Sequence, residues 1–253
     1  MANSFRVAIA GLGTVGAGVV KNIQQNKGLL AARCGRPIEI LAVNARNKSK
    51  DRGVDLSAYQ WVDDTQAMVD LDGLDCVVEL IGGSDGPALG LVKAALSKGV
   101  HVVTANKALM VHHGQELAEL AEANDAALLY EAAVAGGIPV IKTMKEGFAC
   151  NNVDAVYGIL NGTCNYILTE MRETGRDFDD VLKDAQELGY AEADPTFDVD
   201  GIDAAHKLCI LAAIAFGTEL QFDKVYTKGI SEVTAEDIKY ATELGYTIKH
   251  LGI

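Results

Sequence analysis

The sequence has few prolines and no paired cysteine motif, so it lacks the features of secreted disulfide-bonded proteins and of Pro-rich linkers. The five cysteines are scattered, odd in number and never form a C-x-x-C pair, which argues against a secreted disulfide framework and indicates reduced thiols in the cytoplasm. There are only four prolines, too few for Pro-rich linkers, whereas the 26 glycines suit tight turns between strands and helices.

Long apolar segments are missing as well. The longest uninterrupted apolar run, residues 208–216, is nine residues long, whereas a helix needs about 20 to span a bilayer. Residues 7–20 are uncharged like the core of a signal peptide, but their glycines would weaken a helix and no basic cluster precedes them. We therefore expect neither a membrane span nor a cleaved leader.

Positive charge is scarce. The 22 Lys and Arg stand against 35 Asp and Glu, which gives a formal net charge of −13 and argues against a nucleic-acid-binding surface. Hydrophobic residues make up 49% and charged residues 23%, as in ordinary globular proteins. The 253 residues suffice for one large or two modest domains whose core needs no metal or disulfide to fold.

The first half of the chain alternates apolar runs with amphipathic stretches. The runs typical of strands are residues 5–10, 38–43, 76–81, 100–104 and 127–130, and the helical stretches are residues 14–30, 87–98 and 115–123. Because the runs are continuous rather than alternating, both faces of the sheet should be covered by helices, as in parallel sheets. Right-handed crossovers then predict a doubly wound α/β fold.

After about residue 131 the pattern changes. Helical spacing is found at residues 138–148, 165–173, 178–188 and 201–216, and Thr234 and Asp237 resemble a capping box that opens one last helix. Residues 153–160 and 247–253 have the pattern of strands. We predict a doubly wound domain at residues 1–131 and an α+β domain at residues 132–253, packed tightly with the site between them because no linker separates them.

A glycine-rich loop follows the first predicted strand. The sequence Gly11-Leu12-Gly13-Thr14-Val15-Gly16 has the G-x-G-x-x-G spacing typical of dinucleotide binding between a strand and a helix. Gly11 allows a tight turn, Gly13 allows a pyrophosphate to approach the backbone, and Gly16 allows close packing of helix and strand. The helix start at Thr14 and Val15 would offer unpaired N–H groups to the phosphates. A glycine-rich turn without a ligand is the alternative.

The residues after the second predicted strand bear on the choice of cofactor. An Asp or Glu there would bind the ribose 2′-hydroxyl and select NAD, but this chain has Asn44, Arg46 and Lys48, with Lys50 and Arg52 following. Asn44 can still bind a hydroxyl, and Arg46 or Lys48 can bind a 2′-phosphate. We therefore expect NADP to be accepted, with or without NAD, unless these cations only form a solvated loop.

Two lysines lie where chemistry is expected. Lys107 follows the carboxyl end of a predicted strand, the edge at which ligands bind in open α/β sheets, although a surface lysine is the ordinary alternative. Lys207 lies four residues after Asp203 on one helix face, directly before the apolar residues 208–216. A charged pair at the mouth of a buried helix is better placed for chemistry than for solubility.

Over nearly its whole length the sequence resembles the homoserine dehydrogenase family. Beyond the glycine loop, the resembling segments are Glu79-Leu80-Ile81-Gly82-Gly83, Thr104-Ala105-Asn106-Lys107, residues 130–139, residues 158–163 and the acidic stretch of residues 190–207. The resemblance implies a Rossmann-type NAD(P)-binding domain, a catalytic and dimerisation domain, and a homodimer. It also implies the NAD(P)-linked interconversion of homoserine and aspartate 4-semialdehyde, on the route to threonine and methionine.

The resemblance also assigns roles to individual residues. Lys107 and Lys207 match the reacting centre, where we expect Lys207, oriented by Asp203, to be the acid/base and Lys107 to position the substrate. Substrate contacts are expected at Glu192, which would bind the ammonium group, and at Asp198, Tyr190, Gly162 and Thr163. Cofactor contacts are expected at Gly82, Thr104 and Lys107. A monovalent cation, Na⁺ or K⁺, is implied at Glu131 and the backbone carbonyls of Val134, Gly136 and Ile138.

Other interpretations stay open. Cys164 could be the nucleophile of a semialdehyde dehydrogenase, although no histidine pattern near it supplies a base. The chain could also be a non-catalytic dinucleotide-binding fragment or sensor. Residues 251–253 break off within a predicted strand where relatives continue, so we expect a truncated and less stable catalytic unit. Asn47, where relatives commonly have Asp, leaves the preference between NAD and NADP open.

Overall fold

A computed structural model describes residues 4–253 and divides the chain into two compact units. The first unit ends at Ile141 and the second starts at Lys142. This division lies later in the chain than the boundary predicted at residue 131.

The first unit is built on one six-stranded parallel sheet. Its strands are β1 (Phe5–Ala10), β2 (Ile38–Asn44), β3 (Gln60–Trp61), β4 (Cys76–Glu79), β5 (His101–Thr104) and β6 (Leu128–Leu129), in the order β3-β2-β1-β4-β5-β6. This order is that of doubly wound dinucleotide-binding sheets, and the strand order reverses between β1 and β4. The predicted fold class is confirmed. The sequence pattern did not reveal β3, which is only two residues long.

Four helices cover the sheet: α1 (Thr14–Gln25), α2 (Lys27–Cys34), α3 (Pro87–Ser97) and α4 (Lys107–Ala123). The stretch predicted as one helix at residues 14–30 is broken at Asn26, whose φ of −112° and ψ of 20° are not helical and whose side chain donates to the Asn22 carbonyl. Asparagine favours such local bonds over the helix interior. α4 begins earlier than predicted because the Asn106 side chain caps it by accepting from Leu109 N at 3.0 Å.

Apolar side chains are buried on both faces of this sheet. On one face Ala8, Val77 and Val102 pack with Leu91 and Leu109 from the covering helices. On the other face Val7, Ile9 and Val43 pack with Val20 of α1. The continuous apolar runs of the sequence are therefore explained by strands that are covered on both sides.

The second unit consists mainly of helices. They are α6 (Gly162–Thr174), α7 (Phe178–Glu187), α8 (Thr196–Val199), α9 (Ile202–Phe216) and α10 (Ala235–Glu243), preceded by the short α5 (Val140–Lys142) at the division. Its core is formed where Ile167 and Met171 of α6 pack with Val181 and Ala185 of α7. The capping box at Thr234 and Asp237 is confirmed, because each side chain bonds the other residue's backbone N–H.

Three predicted elements of this region are wrong in extent. Residues 153–160 and 247–253 form no strands within the described chain and share a single antiparallel bridge between Gly158 and Gly252. An isolated two-stranded pair is marginal in water, so one bridge without a third strand does not grow into a ladder. The helix predicted at residues 138–148 is reduced to α5 and a π-helical turn, Thr143–Gly147.

Between residues 4 and 253, no helix combines the length and the apolar character needed to cross a membrane. The longest apolar helix, α9, has 15 residues. At a rise of about 1.5 Å per residue, this is shorter than the hydrocarbon core of a bilayer.

Two glycines of α1 give a matched test of this packing. A Cβ on Gly16 would lie 1.9 Å from the Gly11 carbonyl oxygen, whereas a Cβ on Gly18 would meet nothing within 4 Å. We expect Gly16→Ala to lower the free energy of unfolding by about 1–3 kcal/mol through overpacking. Gly18→Ala should raise it by up to about 1 kcal/mol, because alanine is the better helix former. Urea denaturation followed by circular dichroism measures both, and equal stabilities would contradict the packing described here.

Candidate active site

The glycine loop forms a tight turn between β1 and α1. Gly11 has a φ of +97°, and a Cβ there would lie 2.3 Å from the Leu80 carbonyl oxygen, so only glycine fits. A Cβ on Gly13, by contrast, would meet no heavy atom within 4 Å, so the backbone faces open space at this point. α1 then begins at Thr14 without a side-chain cap. The N–H groups of its first turn are therefore available to an anion.

A cleft of about 490 Å³ opens beside this loop. It is lined by the loop, by the start of α1 and by residues 50–54, and its charged residues are three cations, Lys21, Lys50 and Arg52, and one carboxylate, Asp51. The neighbouring Val15 is an apolar residue with 58% of its surface exposed. Size, apolar rim and positive charge beside a helix start suit the phosphate-bearing half of a dinucleotide.

Arg52 fastens the loop after β2 to the glycine loop. Its Nε donates to the Leu12 carbonyl at 3.0 Å and one terminal nitrogen donates to the Lys50 carbonyl at 2.6 Å, while the other bonds the Asn47 carbonyl. Its guanidinium also lies 5.6 Å from the centre of the Trp61 ring. In the sequence, nothing distinguishes Arg52 from the neighbouring cations Lys48 and Lys50.

The three residues predicted to contact the ribose or its 2′-phosphate, Asn44, Arg46 and Lys48, differ in their burial and in their contacts. Asn44 is buried, and both of its amide hydrogens are used, by the carbonyls of Val62 at 2.7 Å and Asp63 at 3.2 Å. Only its carbonyl oxygen is left for a ligand. Arg46 and Lys48 are exposed and do not line the cleft, and Lys48 lies 5.7 Å from the Trp61 ring. The structure therefore brings Lys21, Lys50 and Arg52 to the cleft, but neither Arg46 nor Lys48.

The remaining predicted cofactor residues lie at the carboxyl edge of β4 and β5. Gly82 is in the loop after β4 with a φ of +85°, and Lys107 is the first residue of α4. The Thr104 hydroxyl at the end of β5 donates to Glu79 and accepts from Asn106 N, so it is occupied within the protein. Thr104 therefore shapes this edge rather than presenting a free hydroxyl.

In the second unit, the pair expected from the spacing of Asp203 and Lys207 is formed. The Lys207 Nζ lies 2.6 Å from Asp203 Oδ2 and donates to the Leu160 carbonyl at 2.8 Å. The Asp203 side chain is 8% exposed and that of Lys207 is 21% exposed. Because an ammonium group has three N–H donors, one remains for a substrate oxygen. Lys107 belongs to the first unit and Lys207 to the second.

Asn161, which was not among the predicted site residues, connects acidic residues of this unit. Its Nδ2 donates to Asp198 Oδ1 at 2.7 Å and to Asp203 Oδ2 at 2.9 Å. Its Oδ1 caps α6 by accepting from Cys164 N at 2.8 Å. The asparagine is buried, with 3% of its surface exposed. One amide thus joins two carboxylates and a helix start.

The other predicted substrate residues lie around the start of α6. The Thr163 hydroxyl donates to the Tyr190 carbonyl at 2.9 Å, and the Tyr190 ring packs 4.7 Å from that of Tyr166. Gly162, the first residue of α6, is exposed, with open space where a Cβ would lie.

Glu192 is exposed, and its carboxylate makes no hydrogen bond within residues 4–253. The structure ties Asp198 to the Asp203–Lys207 pair but leaves Glu192 outside that network.

Cys164 is packed as a structural residue. Its thiol is buried and donates to the Asp198 carbonyl at 3.0 Å. Burial, together with the nearby carboxylates of Asp198 and Asp203, raises the pKa of this thiol to about 12. A thiolate nucleophile is therefore disfavoured at this position.

The loop predicted to bind a monovalent cation, residues 131–141, is held by hydrogen bonds between its own residues. The Glu131 carboxylate accepts from Ile141 N at 2.9 Å, and the Ile138 carbonyl accepts from Val140 N at 2.8 Å. Ala135 has a φ of +50°, which is uncommon for a residue other than glycine. One carboxylate and several carbonyls are oxygen ligands of the kind that hard cations prefer. Two of these oxygens, however, already accept hydrogen bonds from the loop itself.

Two family models match the chain. The model described as homoserine dehydrogenase, NAD binding domain, matches residues 11–131, and the model described as homoserine dehydrogenase matches residues 139–253.

Individual relatives agree with these matches. The homoserine dehydrogenase of Pseudomonas aeruginosa is 53% identical over 98% of this chain, and the match covers 56% of that relative. The crystal structure of a homoserine dehydrogenase from Thiobacillus denitrificans has a TM-score of 0.94 at 49% identity, covering 98% of this chain and 57% of that one. A hyperthermophilic archaeal homoserine dehydrogenase in complex with NADPH has a TM-score of 0.80 at 26% identity, covering 91% and 75%.

The chain thus spans little more than half the length of the curated relatives it matches. Over that length, both of its units, the parallel sheet with its glycine loop and the helical unit with its lysine and carboxylates, are matched by models of one family. The chain belongs to the homoserine dehydrogenase family.

Proposed function

We propose that this chain carries the residues for the NAD(P)-dependent interconversion of L-homoserine and L-aspartate 4-semialdehyde, a step toward threonine and methionine. The observation that carries the proposal is the Asp203–Lys207 pair, whose lysine keeps one N–H donor for a substrate oxygen. Membership of the homoserine dehydrogenase family supports the choice of substrate.

The chemistry needs a group that moves one proton at the substrate's C4 oxygen. The nicotinamide cofactor, when bound, supplies the hydride chemistry. In the reducing direction Lys207 donates a proton to the developing alkoxide, and in the oxidising direction it accepts one. Asp203 and the Leu160 carbonyl hold the Lys207 amine in place. Lys107 positions the substrate electrostatically, and Glu192 binds the substrate ammonium group.

For the cofactor, we propose that NADP is accepted, with or without NAD. The cations Lys21, Lys50 and Arg52 at the glycine-loop cleft favour a phosphate-rich ligand. No Asp or Glu ends β2, where an acid would select the unphosphorylated ribose. The NADPH complex of the archaeal relative agrees with this assignment.

The bridge between Gly158 and Gly252 supports a homodimer. Apolar side chains flank it with large exposed fractions, 77% for Tyr157, 55% for Ile159 and 81% for Ile253. Large exposed apolar side chains beside unpaired backbone groups are typical of edges that a second copy covers.

The proposal includes a cation site and a cellular location. We propose Na⁺ or K⁺ at Glu131 and the carbonyls of Val134, Gly136 and Ile138, because these oxygens belong to one tightly turned loop. We propose a cytoplasmic location because none of the five cysteines forms a disulfide.

Homoserine-dependent reduction of NADP⁺ and NAD⁺, followed at 340 nm, tests the proposal. We expect activity in the wild type, and Lys207→Ala should lower kcat by about 10²–10⁴-fold with the KM for cofactor unchanged. Lys107→Ala should mainly raise the KM for homoserine. Lys98→Ala, which removes a surface lysine paired with Asp70, is the control. A larger kcat loss for Lys107→Ala would reverse the two roles, and cofactor binding without turnover would support the non-catalytic fragment.

The role of Asn161 is tested by Asn161→Asp. The substitution replaces an amide that donates to Asp198 and Asp203 with a third carboxylate, so the charges repel and the Lys207 amine loses its fixed partner. We expect kcat to fall by about 10- to 100-fold. Asn151→Asp, the same change at an exposed position of the second unit, is the matched control. If both variants keep the wild-type kcat, the amide bridge has no part in the reaction.

The alternative, a semialdehyde dehydrogenase with Cys164 as nucleophile, predicts a reactive thiol. With pKa values raised to about 12 by burial, Cys164 and Cys76 should resist iodoacetamide at pH 8, because only about one thiol in 10⁴ would be ionised. The exposed Cys34 and Cys150 should be alkylated and serve as internal controls. Peptide mass spectrometry measures all four. Rapid alkylation of Cys164 that substrate prevents would favour the alternative.

A further inference from the structure

A fully buried carboxylate lies at the carboxyl edge of the sheet, and the mechanism above does not use it. Glu79 is the last residue of β4 and has 0% of its surface exposed. No cation within residues 4–253 forms an ion pair with it. Burying a carboxylate is costly unless hydrogen-bond donors replace water, so its partners should reveal why it is retained.

Three donors surround Glu79. Its Oε1 accepts from Ile81 N at 2.7 Å and from Gly82 N at 3.3 Å, and its Oε2 accepts from the Thr104 hydroxyl at 2.5 Å. Glu79 and Thr104 are paired residues of neighbouring strands, each at the end of its strand. The carboxylate therefore folds the loop after β4 back onto the sheet and ties it to β5.

The bonds continue into a closed ring. The Thr104 hydroxyl accepts from Asn106 N at 2.9 Å, and the Asn106 side chain donates to the Gly83 carbonyl at 2.7 Å. Glu79, Gly82, Gly83, Asn106 and Thr104 thus form what we call the edge ring. Asn106 also caps α4, whose first residue is Lys107.

The ring requires an acceptor on both oxygens of residue 79. All three partners of Glu79 donate, and an ionised carboxylate only accepts. A glutamine would present an NH₂ group to one side, and the Thr104 hydroxyl would lose its acceptor. Glutamate is therefore specified by the donors around it rather than by size.

The edge ring follows β4 and β5, whereas the cleft that contains Lys21, Lys50 and Arg52 lies beside β1 and β2 at the same edge of the sheet. In this strand order a dinucleotide extends across the point where the order reverses, between β1 and β4. The cleft is formed by the loop after β1, by α1 and by the loop after β2, so the other half of a dinucleotide bound there would extend over β4 and β5. It would then reach the loop that Glu79 holds.

We propose that Glu79 is a positioning residue for the nicotinamide half of the cofactor, acting through the edge ring on the loop at Gly82 and on the start of α4 at Lys107. The inference rests on the proposed function, since it requires that the chain binds a nicotinamide dinucleotide. It assigns Thr104 to the same ring rather than to direct cofactor contact.

Calorimetric titration separates this role from general support of the fold. Wild type, Glu79→Gln and Thr104→Val are each titrated with NADP⁺ and with 2′,5′-ADP, which contains the adenosine half but no nicotinamide. Both variants should bind NADP⁺ about tenfold more weakly, with 2′,5′-ADP changed less than about twofold. The variant that carries both changes should bind NADP⁺ no more weakly than the single variant with the lower affinity, because both changes break the same ring. Glu39→Gln, an exposed carboxylate on β2, is the control and should bind both ligands like the wild type.

The possible outcomes decide between the alternatives. Unchanged NADP⁺ affinity, or equal losses for NADP⁺ and 2′,5′-ADP, overturns the positioning role. If Glu79→Gln does not fold, Thr104→Val decides alone, because it leaves the two backbone bonds to Glu79 intact. If the wild type binds neither ligand, the proposed function fails, and amide exchange at Ile81 and Gly82 without ligand still tests the ring. Exchange should then be at least about tenfold faster in Glu79→Gln, and equal exchange overturns the ring.

Discussion

The first unit depends on how closely three backbone segments approach at the carboxyl edge of its sheet. A side chain at Gly11 would collide with the carbonyl of Leu80, and one at Gly16 would collide with the carbonyl of Gly11. The turn after β1, the start of α1 and the loop after β4 can therefore meet only where two residues lack a side chain. The open helix start, the cleft and the position of the loop that Glu79 holds all follow from this contact.

In the second unit, several charged side chains lie beside an apolar helix. Asp203 and Lys207 lie in the first two turns of α9, and Asp198 accepts a hydrogen bond from the same Asn161 amide as Asp203. An asparagine amide satisfies both carboxylates, and the lysine bonds one carboxylate and one carbonyl. Every buried charge in this group has a partner, yet the lysine is not saturated, so the arrangement combines stability with a donor that can act on a ligand.

What the sequence could predict was decided by local patterns. Continuous apolar runs predicted the buried strands, the glycine spacing predicted the loop, and the interval between Asp203 and Lys207 predicted the ion pair, because each of these signals lies in residues that are close along the chain. Asn161 could not be recognised in this way, because its two carboxylate partners lie 37 and 42 residues away. The strand predictions at residues 153–160 and 247–253 were wrong in extent, because a strand needs a partner surface that local pattern does not supply.

Arg52 lies beside the residue that gives the protein its indole fluorescence. The guanidinium that fastens the loop after β2 to the glycine loop lies over Trp61, and Lys48 lies at a similar distance from the same ring. Trp61 is the single tryptophan of the chain. The indole emission of the whole protein therefore comes from one ring that lies 5.6 Å from Arg52, a residue that lines the glycine-loop cleft. The chain contains its own optical reporter of that loop, which needs no label and has no background from a second indole.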